Sequence, residues 1–315
     1  MLKRGLLSEE SHSLGEFMHL FSTPIVLLLF GQPLAAGFAP SDQVVVIRTV
    51  EMKTITGSTV VLTPGTTAVV REAEESRLKI AVGRVGWVEP STVIAAAQAE
   101  NLFSALIDKS PKDAALLLAR GKARLDKAGL DPEKIDRAIV DFDQSLKIGP
   151  SSEALTYRGY GWKRKGDKDR AIADFDEAIK LNPKEALAWR IRGATWAAKA
   201  EYAKTLADYS ESIRVDPENP DSRHHRVILR SACMDAQFRD GKQALEDATK
   251  ACEVSEWKNP LYLMGLAFAH AELGDFDAAI KWQTKAIELS AAPSESMRAN
   301  LELFRQRKPF RMTWK

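Results

Sequence analysis

Residues 161–183 read GWKRKGDKDRAIADFDEAIKLNP, and residues 195–217 read TWAAKAEYAKTLADYSESIRVDP. The second stretch begins 34 residues after the first, and three kinds of residue fall in the same positions. These are a small residue, an aromatic residue and a proline: Ala171 and Thr205, Phe175 and Tyr209, Pro183 and Pro217. A sequence that recurs at a fixed period predicts that each copy folds into the same unit and packs on the next copy.

The same positions can be followed through five copies. The small residue recurs at spacings of 33, 34, 39 and 35 residues, as Ala138, Ala171, Thr205, Ala244 and Ala279. The position four residues later is aromatic in three copies and then lapses, as Phe142, Phe175, Tyr209, Ala248 and Gln283. Small residues let two antiparallel helices approach, and a large residue fills the gap to the next pair. One helix pair cannot bury its apolar face alone, so the pattern predicts stacked pairs.

This pattern resembles the tetratricopeptide repeat. The resemblance implies an all-α solenoid of about five helix pairs over residues 112–293. The expected repeats are residues 112–150, 152–185, 186–219, 220–258 and 260–293. We expect residues 97–111 to form a half repeat that joins the solenoid to what precedes it, and residues 294–315 to form a capping helix and tail.

A strand-like pattern precedes the repeats, over residues 42–95. Runs of β-branched residues flank a Pro64–Gly65 turn, and Leu78, Ile80 and Val82 alternate as they would on one face of a half-buried strand. Several short strands in this length of chain predict a small all-β barrel. The expected fold class is therefore a multidomain protein, with a barrel followed by a solenoid.

The strand-like region resembles bacterial Src-homology-3-like domains, through its Pro64–Gly65 turn and the closing Gly86, Trp87 and Val88. The resemblance implies a short helical turn at residues 90–92 before the last strand. A groove for proline-rich peptides needs several aromatic side chains, and this region offers only Trp87. We therefore expect Trp87 to be a core residue.

The first 39 residues have the order of a secretory signal. Lys3 and Arg4 begin the chain, an apolar stretch follows at residues 24–30, and small residues close it at residues 34–39. We expect export to the periplasm or cell envelope with removal of this segment. Two alternatives are an uncleaved membrane anchor over residues 17–39 and a cytoplasmic protein with an unusual N-terminus.

Little in the sequence indicates catalysis. The net charge of +2 gives no reason to expect nucleic acid, and two cysteines, Cys233 and Cys252, make no disulfide framework. Nucleotide-binding, serine-hydrolase and zinc-protease motifs are missing from the sequence. The acidic run at residues 174–177 is interpreted as a solvated helix face, and Asp221 with His224 lacks the third ligand that a metal needs. We expect neither cofactor nor metal, and no small-molecule substrate.

The expected function is protein–protein interaction by a non-enzymatic adaptor or scaffold. In tetratricopeptide arrays the first helices of the repeats line a concave groove that binds peptides or partner proteins. Carried over by position, the groove residues are Thr156, Tyr160, Lys163, Arg164, Arg190, Ala194, Ala197, Asp221, His224, Ile228, Met264 and Phe268. The groove is basic at its start and apolar at its end, which favours an extended peptide with an acidic end and an apolar end.

Two further features of the first helices concern what the predicted groove can bind. The family's clamp for chaperone tails uses asparagine with lysine in these columns, and no asparagine is found there. In the first helices of the first four repeats, an arginine stands one residue before the small or short residue, as Arg120, Arg158, Arg192 and Arg226. We expect this arginine column to pair with acidic residues of neighbouring repeats rather than with a ligand.

Two other functions stay open at this point. The first is a structural or assembly factor of the cell envelope, which the barrel would dock to the wall or to a membrane complex. The second, more remote, is an enzyme with a site built across the junction of barrel and solenoid.

Overall fold

The computed structural model describes residues 42–47, 49–54, 59–73, 78–82, 84–88 and 93–312. Three of the predictions fall outside these residues: the signal peptide or anchor at 1–39, the helical turn at 90–92 and the end of the tail at 313–315. The described chain consists of a sheet followed by an array of helices.

Seven short strands form one antiparallel sheet in the described part of residues 42–95. They are β1 (Gln43–Val46), β2 (Val50–Thr54), β3 (Thr59–Leu62), β4 (Thr67–Ala73), β5 (Leu78–Val82), β6 (Arg84–Val88) and β7 (Val93–Ala95). Their order across the sheet is β3-β2-β6-β5-β4-β1-β7. Because alternate strand residues point to the same face, Val44 and Val46 join Met52 and Ile80 in one buried core.

The outermost strands of the sheet, β3 and β7, do not pair with each other in the described residues. A closed barrel is therefore not shown, and the likeness to Src-homology-3-like domains stays a prediction. The expected turn between β3 and β4 is present. Gly65 within it has a φ of +84°, a conformation that residues with a Cβ rarely adopt.

Twelve α-helices follow in residues 93–312. They are α1 (Ala96–Lys109), α2 (Ala114–Lys127), α3 (Pro132–Ile148), α4 (Ser152–Arg164), α5 (Lys168–Leu181), α6 (Ala186–Ala197), α7 (Tyr202–Val215), α8 (Pro220–Ala232), α9 (Gly241–Val254), α10 (Pro260–Glu272), α11 (Phe276–Leu289) and α12 (Glu295–Arg305). The predicted solenoid of about five helix pairs is confirmed, with pairs running from α2–α3 to α10–α11. Helix α1 lies in the segment predicted to join it, and α12 in the segment predicted to cap it.

Local sequence determines where most of these helices begin. In nine of them, the side chain before the first turn accepts a hydrogen bond from a backbone amide of that turn, at Asp113, Asp131, Ser151, Asp167, Asn219, Asp240, Asn259, Asp275 and Ser294. Proline stands at the first helical position in three, as Pro132, Pro220 and Pro260. Proline is favoured there because its missing N–H would have no helical partner anyway.

In repeats 1 to 4, a residue of the first helix and a residue of the second helix are complementary in size, which lets the two helices pack closely. A Cβ at Gly121 would lie 2.4 Å from the buried ring of Phe142. The same contact recurs between glycine and aromatic ring in repeats 2 and 3, as Gly159 with Phe175 and Gly193 with Tyr209. In repeat 4 the larger residue is on the first helix and the smaller one on the second. Val227 stands in the glycine column and Ala248 in the aromatic column, and both are buried in one cluster.

The arginine column also joins the helices of a repeat. Arg158 donates to Asp174 through Nε and Nη2 at 2.9 and 2.6 Å, and Arg192 donates to Asp208 at 2.9 and 2.7 Å. The equivalent pairs in repeats 1 and 4 are Arg120–Asp141 and Arg226–Asp247. These bidentate, charge-assisted hydrogen bonds are shielded from water, since the four carboxylates are nearly buried.

The predicted structural role of the arginine column is confirmed, but its main partner is in the same repeat. A second bond does reach the preceding repeat, from Arg158 to Asp143 at 2.8 Å and from Arg192 to Asp176 at 2.6 Å. The interpretation of residues 174–177 as a fully solvated face is wrong for Asp174, which is 6% exposed. Burial raises the pKa of Asp174, against the effect of its Arg158 partner.

A buried lysine connects the sheet to the first two repeats. Lys122 is 2% exposed, and its Nζ donates to Thr63 and Thr66 of the β3–β4 turn at 2.9 and 3.3 Å and to Glu153 at 2.8 Å. A Cβ at Gly65 of this turn would lie 2.8 Å from the carbonyl oxygen of Ala119. The turn is therefore packed tightly on α2. Around Lys122, the polar groups of the sheet–solenoid junction bond to one another.

Candidate functional site

The first helices of the repeats, α2, α4, α6, α8 and α10, form one layer of the solenoid, and the groove predicted from the sequence is the outer surface of this layer. Its N-terminal end is covered. The β3–β4 turn at residues 63–66 lies on α2, where Lys122 and Ala119 occupy the positions of Tyr160 and Tyr157 in repeat 2. The surface of repeat 1 is therefore closed to a partner by the protein's own sheet.

The C-terminal end of the groove is also covered. The ring of Phe310 stacks on Phe268 of α10 with ring centroids 4.8 Å apart, and Phe304 of α12 meets Phe268 edge-on at 6.1 Å. The amide of Met312 donates to the carbonyl oxygen of Ala232 at the end of α8, at 2.8 Å. What stays open is the stretch across repeats 2 to 4, which we call the central groove.

Four residues predicted to line the groove do not offer free side chains. Thr156, Ala197 and Phe268 are 0%, 1% and 4% exposed, so these three predictions are wrong. Thr156 turns its hydroxyl back to the carbonyl oxygen of Ser152 at 2.9 Å, and Phe268 is covered as described above. The guanidinium of Arg164 binds two carbonyl oxygens at the end of α2 and in the loop after it, those of Leu125 and Gly129, and is committed to the fold.

The other predicted residues fall into two groups, all of them half-buried. Ile228 and Met264 pack on the apolar cluster around Phe268 at the covered end. The remaining residues lie on the first helices of repeats 2 to 4: Tyr160, Lys163, Arg190, Ala194, Asp221 and His224. These six residues define the candidate site.

Arg190 is the electrostatic centre of the candidate site. The pKa of Lys163 is lowered mainly by burial, then by the charge of Arg190 and then by that of Arg164. Burial opposes ionisation of Asp221, but Arg190 and the hydroxyl of Tyr262 together hold the pKa of Asp221 below its usual value. The Nε of Arg190 is buried and has no hydrogen-bond partner among the described residues. An unsatisfied buried donor costs about 1–3 kcal/mol, so an acceptor that reached this atom would recover part of that cost.

Three residues beside Arg190 were not predicted from the repeat columns. Tyr262 donates its hydroxyl to Asp221 Oδ1 at 2.6 Å, and His225 Nδ1 lies 2.7 Å from the carbonyl oxygen of Asp221. Burial lowers the pKa of His224 to about 3 and that of His225 to about 4, so both imidazoles are neutral at neutral pH. The third is Tyr157, which is half-buried on α4 and whose pKa is raised by burial against the effect of the nearby charge of Arg190. The His224–His225 dipeptide was a visible signal, but only the contacts of His224 with Tyr262 on α10 and of His225 with Tyr209 on α7 place both rings at the site.

Comparison with known proteins decides the family of the repeats. Tetratricopeptide repeat family models match residues 152–185 and residues 261–293, the second and fifth helix pairs. The chain contains tetratricopeptide repeats. Repeats 1 and 3 carry the same glycine, aromatic and arginine columns, and repeat 4 carries the arginine column with the sizes of the other two exchanged. No curated protein matches the chain.

Solved structures agree on the fold of the tetratricopeptide repeats. A chain of the APC/C hetero-tetramer Cut9–Hcn1 is 18% identical with a TM-score of 0.56, over 67% of this chain and 40% of that one. PilW, a widely conserved type IV pilus biogenesis factor, is 20% identical with a TM-score of 0.53, over 65% of this chain and 90% of PilW. This chain therefore spans less than half of the first protein. At these identities the likeness shows the fold and nothing finer.

The tetratricopeptide repeat fold points to protein–protein interaction or scaffolding, and proteins of this kind are generally non-enzymatic adaptors. In the described residues, no group of three histidine, cysteine or acidic side chains is placed to hold a metal ion. Cys233 and Cys252 are buried and unpaired. Within the part of the chain that the structure describes, no helix is long and apolar enough to cross a membrane.

Proposed function

We propose that the protein is an adaptor whose central groove binds an extended peptide segment of a partner protein through acidic side chains of that segment. One observation carries the proposal: Arg190 is half-buried on the first helix of repeat 3, and its Nε has no hydrogen-bond partner among the described residues. A carboxylate of the partner would accept this hydrogen bond. This carboxylate would also lie near Lys163. Burial and the charges of Arg190 and Arg164 disfavour the charged form of Lys163, and a nearby negative charge would favour it.

The covered ends of the groove limit what can bind. The apolar end of the expected peptide has no free surface, because Phe310 lies on Phe268. The open part crosses three first helices. Packed helices lie about 10 Å apart, so these span about 20 Å between outer axes. An extended chain advances about 3.3 Å per residue, so a segment of about six residues fills the central groove.

The test is a selection of peptides that bind the full chain, followed by affinity measurements on two variants. Arg190→Gln removes the central guanidinium. Arg214→Gln is the matched control, because it makes the same change at a side chain that is 68% exposed on α7 and paired with Glu211. We expect selected peptides to be acidic. We also expect Arg190→Gln to weaken their binding about 10- to 100-fold, from a loss of about 1.5–3 kcal/mol for a charged hydrogen bond.

The control separates specific recognition from general charge attraction. Arg214→Gln is expected to change the affinity less than about 2-fold, because exposed charges are screened by solvent and salt. An equal loss in both variants would contradict the proposal, and so would an unchanged affinity in Arg190→Gln.

We also propose that the chain is exported, that residues 1–39 are its signal or anchor, and that the sheet is a Src-homology-3-like module in an envelope-associated protein. The support is the order of basic, apolar and small residues at the N-terminus. Mass spectrometry of the N-terminus of the natural protein tests this. A first residue just after Ala36 or Gly37 supports cleavage and export, whereas an intact N-terminus in the cytoplasm contradicts both export and anchoring.

A further inference from the structure

The chain turns back on itself after the last helix. Helix α12 ends at Arg305. Two residues later Arg307 has a φ of +54°, and the amide of Lys308 donates to the carbonyl oxygen of Leu303 at 2.9 Å. This pattern closes a helix C-terminus, and Pro309 next to it cannot continue the helix. The tail, which we define as Phe310, Arg311 and Met312, therefore leaves α12 and returns to the ends of α8 and α10.

The tail is held in the way that a bound peptide is held. Phe310 supplies an aromatic ring to Phe268, as described above. Arg311 supplies a charge, with Nη2 2.7 Å from Glu272 Oε2, and its Nη1 donates to the carbonyl oxygen of Ser231 at 3.2 Å. Met312 supplies the main chain, through a parallel β-bridge with Cys233. One apolar contact, one ion pair and one strand-like pairing are the elements of extended-peptide recognition.

The surface under the tail is built without the tail. Arg239, in the longer loop of repeat 4, donates to the carbonyl oxygen of Cys233 at 2.8 Å and to Glu272 Oε1 at 2.9 Å. It thereby holds the backbone of Cys233 extended and keeps Glu272 in place. Removing Arg311 would leave Glu272 still paired, and the acceptor residues would keep their positions.

The tail is attached less firmly than the surface beneath it. Phe310, Arg311 and Met312 are all half-buried, whereas Ala232 and Cys233 are fully buried. In the described structure one main-chain hydrogen bond joins the tail to α8. A short segment with few buried contacts opens at a lower free energy than the helices of the core.

We propose that this acceptor, formed by Ser231, Ala232, Cys233, Phe268 and Glu272, is a second peptide site, specific for an extended aromatic–arginine–aliphatic segment. The protein's own tail is its resident and displaceable ligand. A partner that carries the same three-residue chemistry competes with the tail for the site. The site lies at the end of the groove, outside the central groove, and does not depend on Arg190.

Binding of a labelled peptide tests the proposal. The probe is the synthetic peptide of residues 306–312, QRKPFRM. It is titrated into the full chain and into the full-length double variant Phe310→Ala/Arg311→Ala. Because the resident ligand competes at high effective concentration, we expect the peptide to bind the variant at least ~10-fold more tightly. A peptide with glutamate in place of its second arginine is the control and should not bind, because it would face Glu272.

Equal binding to both proteins, or no binding to a variant that keeps its helical circular dichroism, would overturn the proposal. Arg190→Gln should leave the affinity of this peptide unchanged, so that failure here is distinguishable from failure of the central groove. If the double variant does not fold, hydrogen exchange on the unaltered protein tests the same proposal. The Met312 amide should exchange at least ~10-fold faster than the Phe304 amide, and equally slow exchange would show that the tail is a fixed part of the fold.

Discussion

Gly121→Val is expected to lower the free energy of unfolding by about 3 kcal/mol, the upper range for overpacking a core. A Cβ at this position would lie 2.4, 2.8 and 3.0 Å from three atoms of the Phe142 ring. The ring is fully buried, and close-packed protein interiors contain few voids into which a ring can move. Urea unfolding followed by circular dichroism measures the change.

The double variant Gly121→Val/Phe142→Ala separates size complementarity from simple damage. Phe142→Ala alone should cost about 4 kcal/mol, because it leaves a cavity. Together the two changes copy the Val227–Ala248 pair that repeat 4 already uses. We expect the double variant to lose about 2 kcal/mol less than the sum of the single losses, as contacting residues do. Strict additivity would contradict the idea that the two columns are matched in size.

Asp247→Ala is expected to cost about 3 kcal/mol, the second large effect. Asp247 is nearly buried and receives three hydrogen bonds: from Arg226 Nε and Nη2 at 2.7 and 2.9 Å, and from Arg223 Nη1 at 2.9 Å. Removing one partner of a buried ion pair leaves the opposite charges uncompensated, which costs more than the pair contributes. The same urea unfolding measurement applies.

Glu211→Ala is the matched control for Asp247→Ala. Glu211 also pairs with an arginine, Arg214, but both side chains are exposed on α7. Exposed pairs contribute little, so the control should change the free energy of unfolding by less than about 0.5 kcal/mol. Losses of equal size in the two variants would show that burial of the arginine column has no special role in stability.

The helix pairs were predictable because each repeat meets the same environment. The small, aromatic and arginine columns are visible in the sequence since every repeat packs on its neighbour through them. The acidic partner of the arginine was visible too, because an aspartate precedes the aromatic column in Asp141, Asp174, Asp208 and Asp247. One of these, Asp174, was wrongly predicted to be solvated, because it lies in a short acidic run that is typical of an exposed helix face.

The candidate site was only partly predictable, because its limits are set by contacts between distant parts of the chain. Thr63 reaches Lys122 across 59 residues, and Arg311 reaches Ser231 across 80. Such contacts leave no periodic trace in a repeat. Column positions alone therefore suggested a groove open along its whole length, whereas the sheet and the tail cover its two ends.

Cross-linking from inside the central groove tests whether a partner segment binds there. A photoreactive amino acid is placed at Ala194, which is half-buried in the open groove, or at Lys180, which is exposed on α5. Each protein is irradiated with a selected acidic peptide at a concentration that saturates binding. If the peptide binds in the central groove, we expect a cross-link from position 194 that excess unlabelled peptide abolishes, and none from position 180. A peptide that binds but cross-links only from position 180 would contradict it.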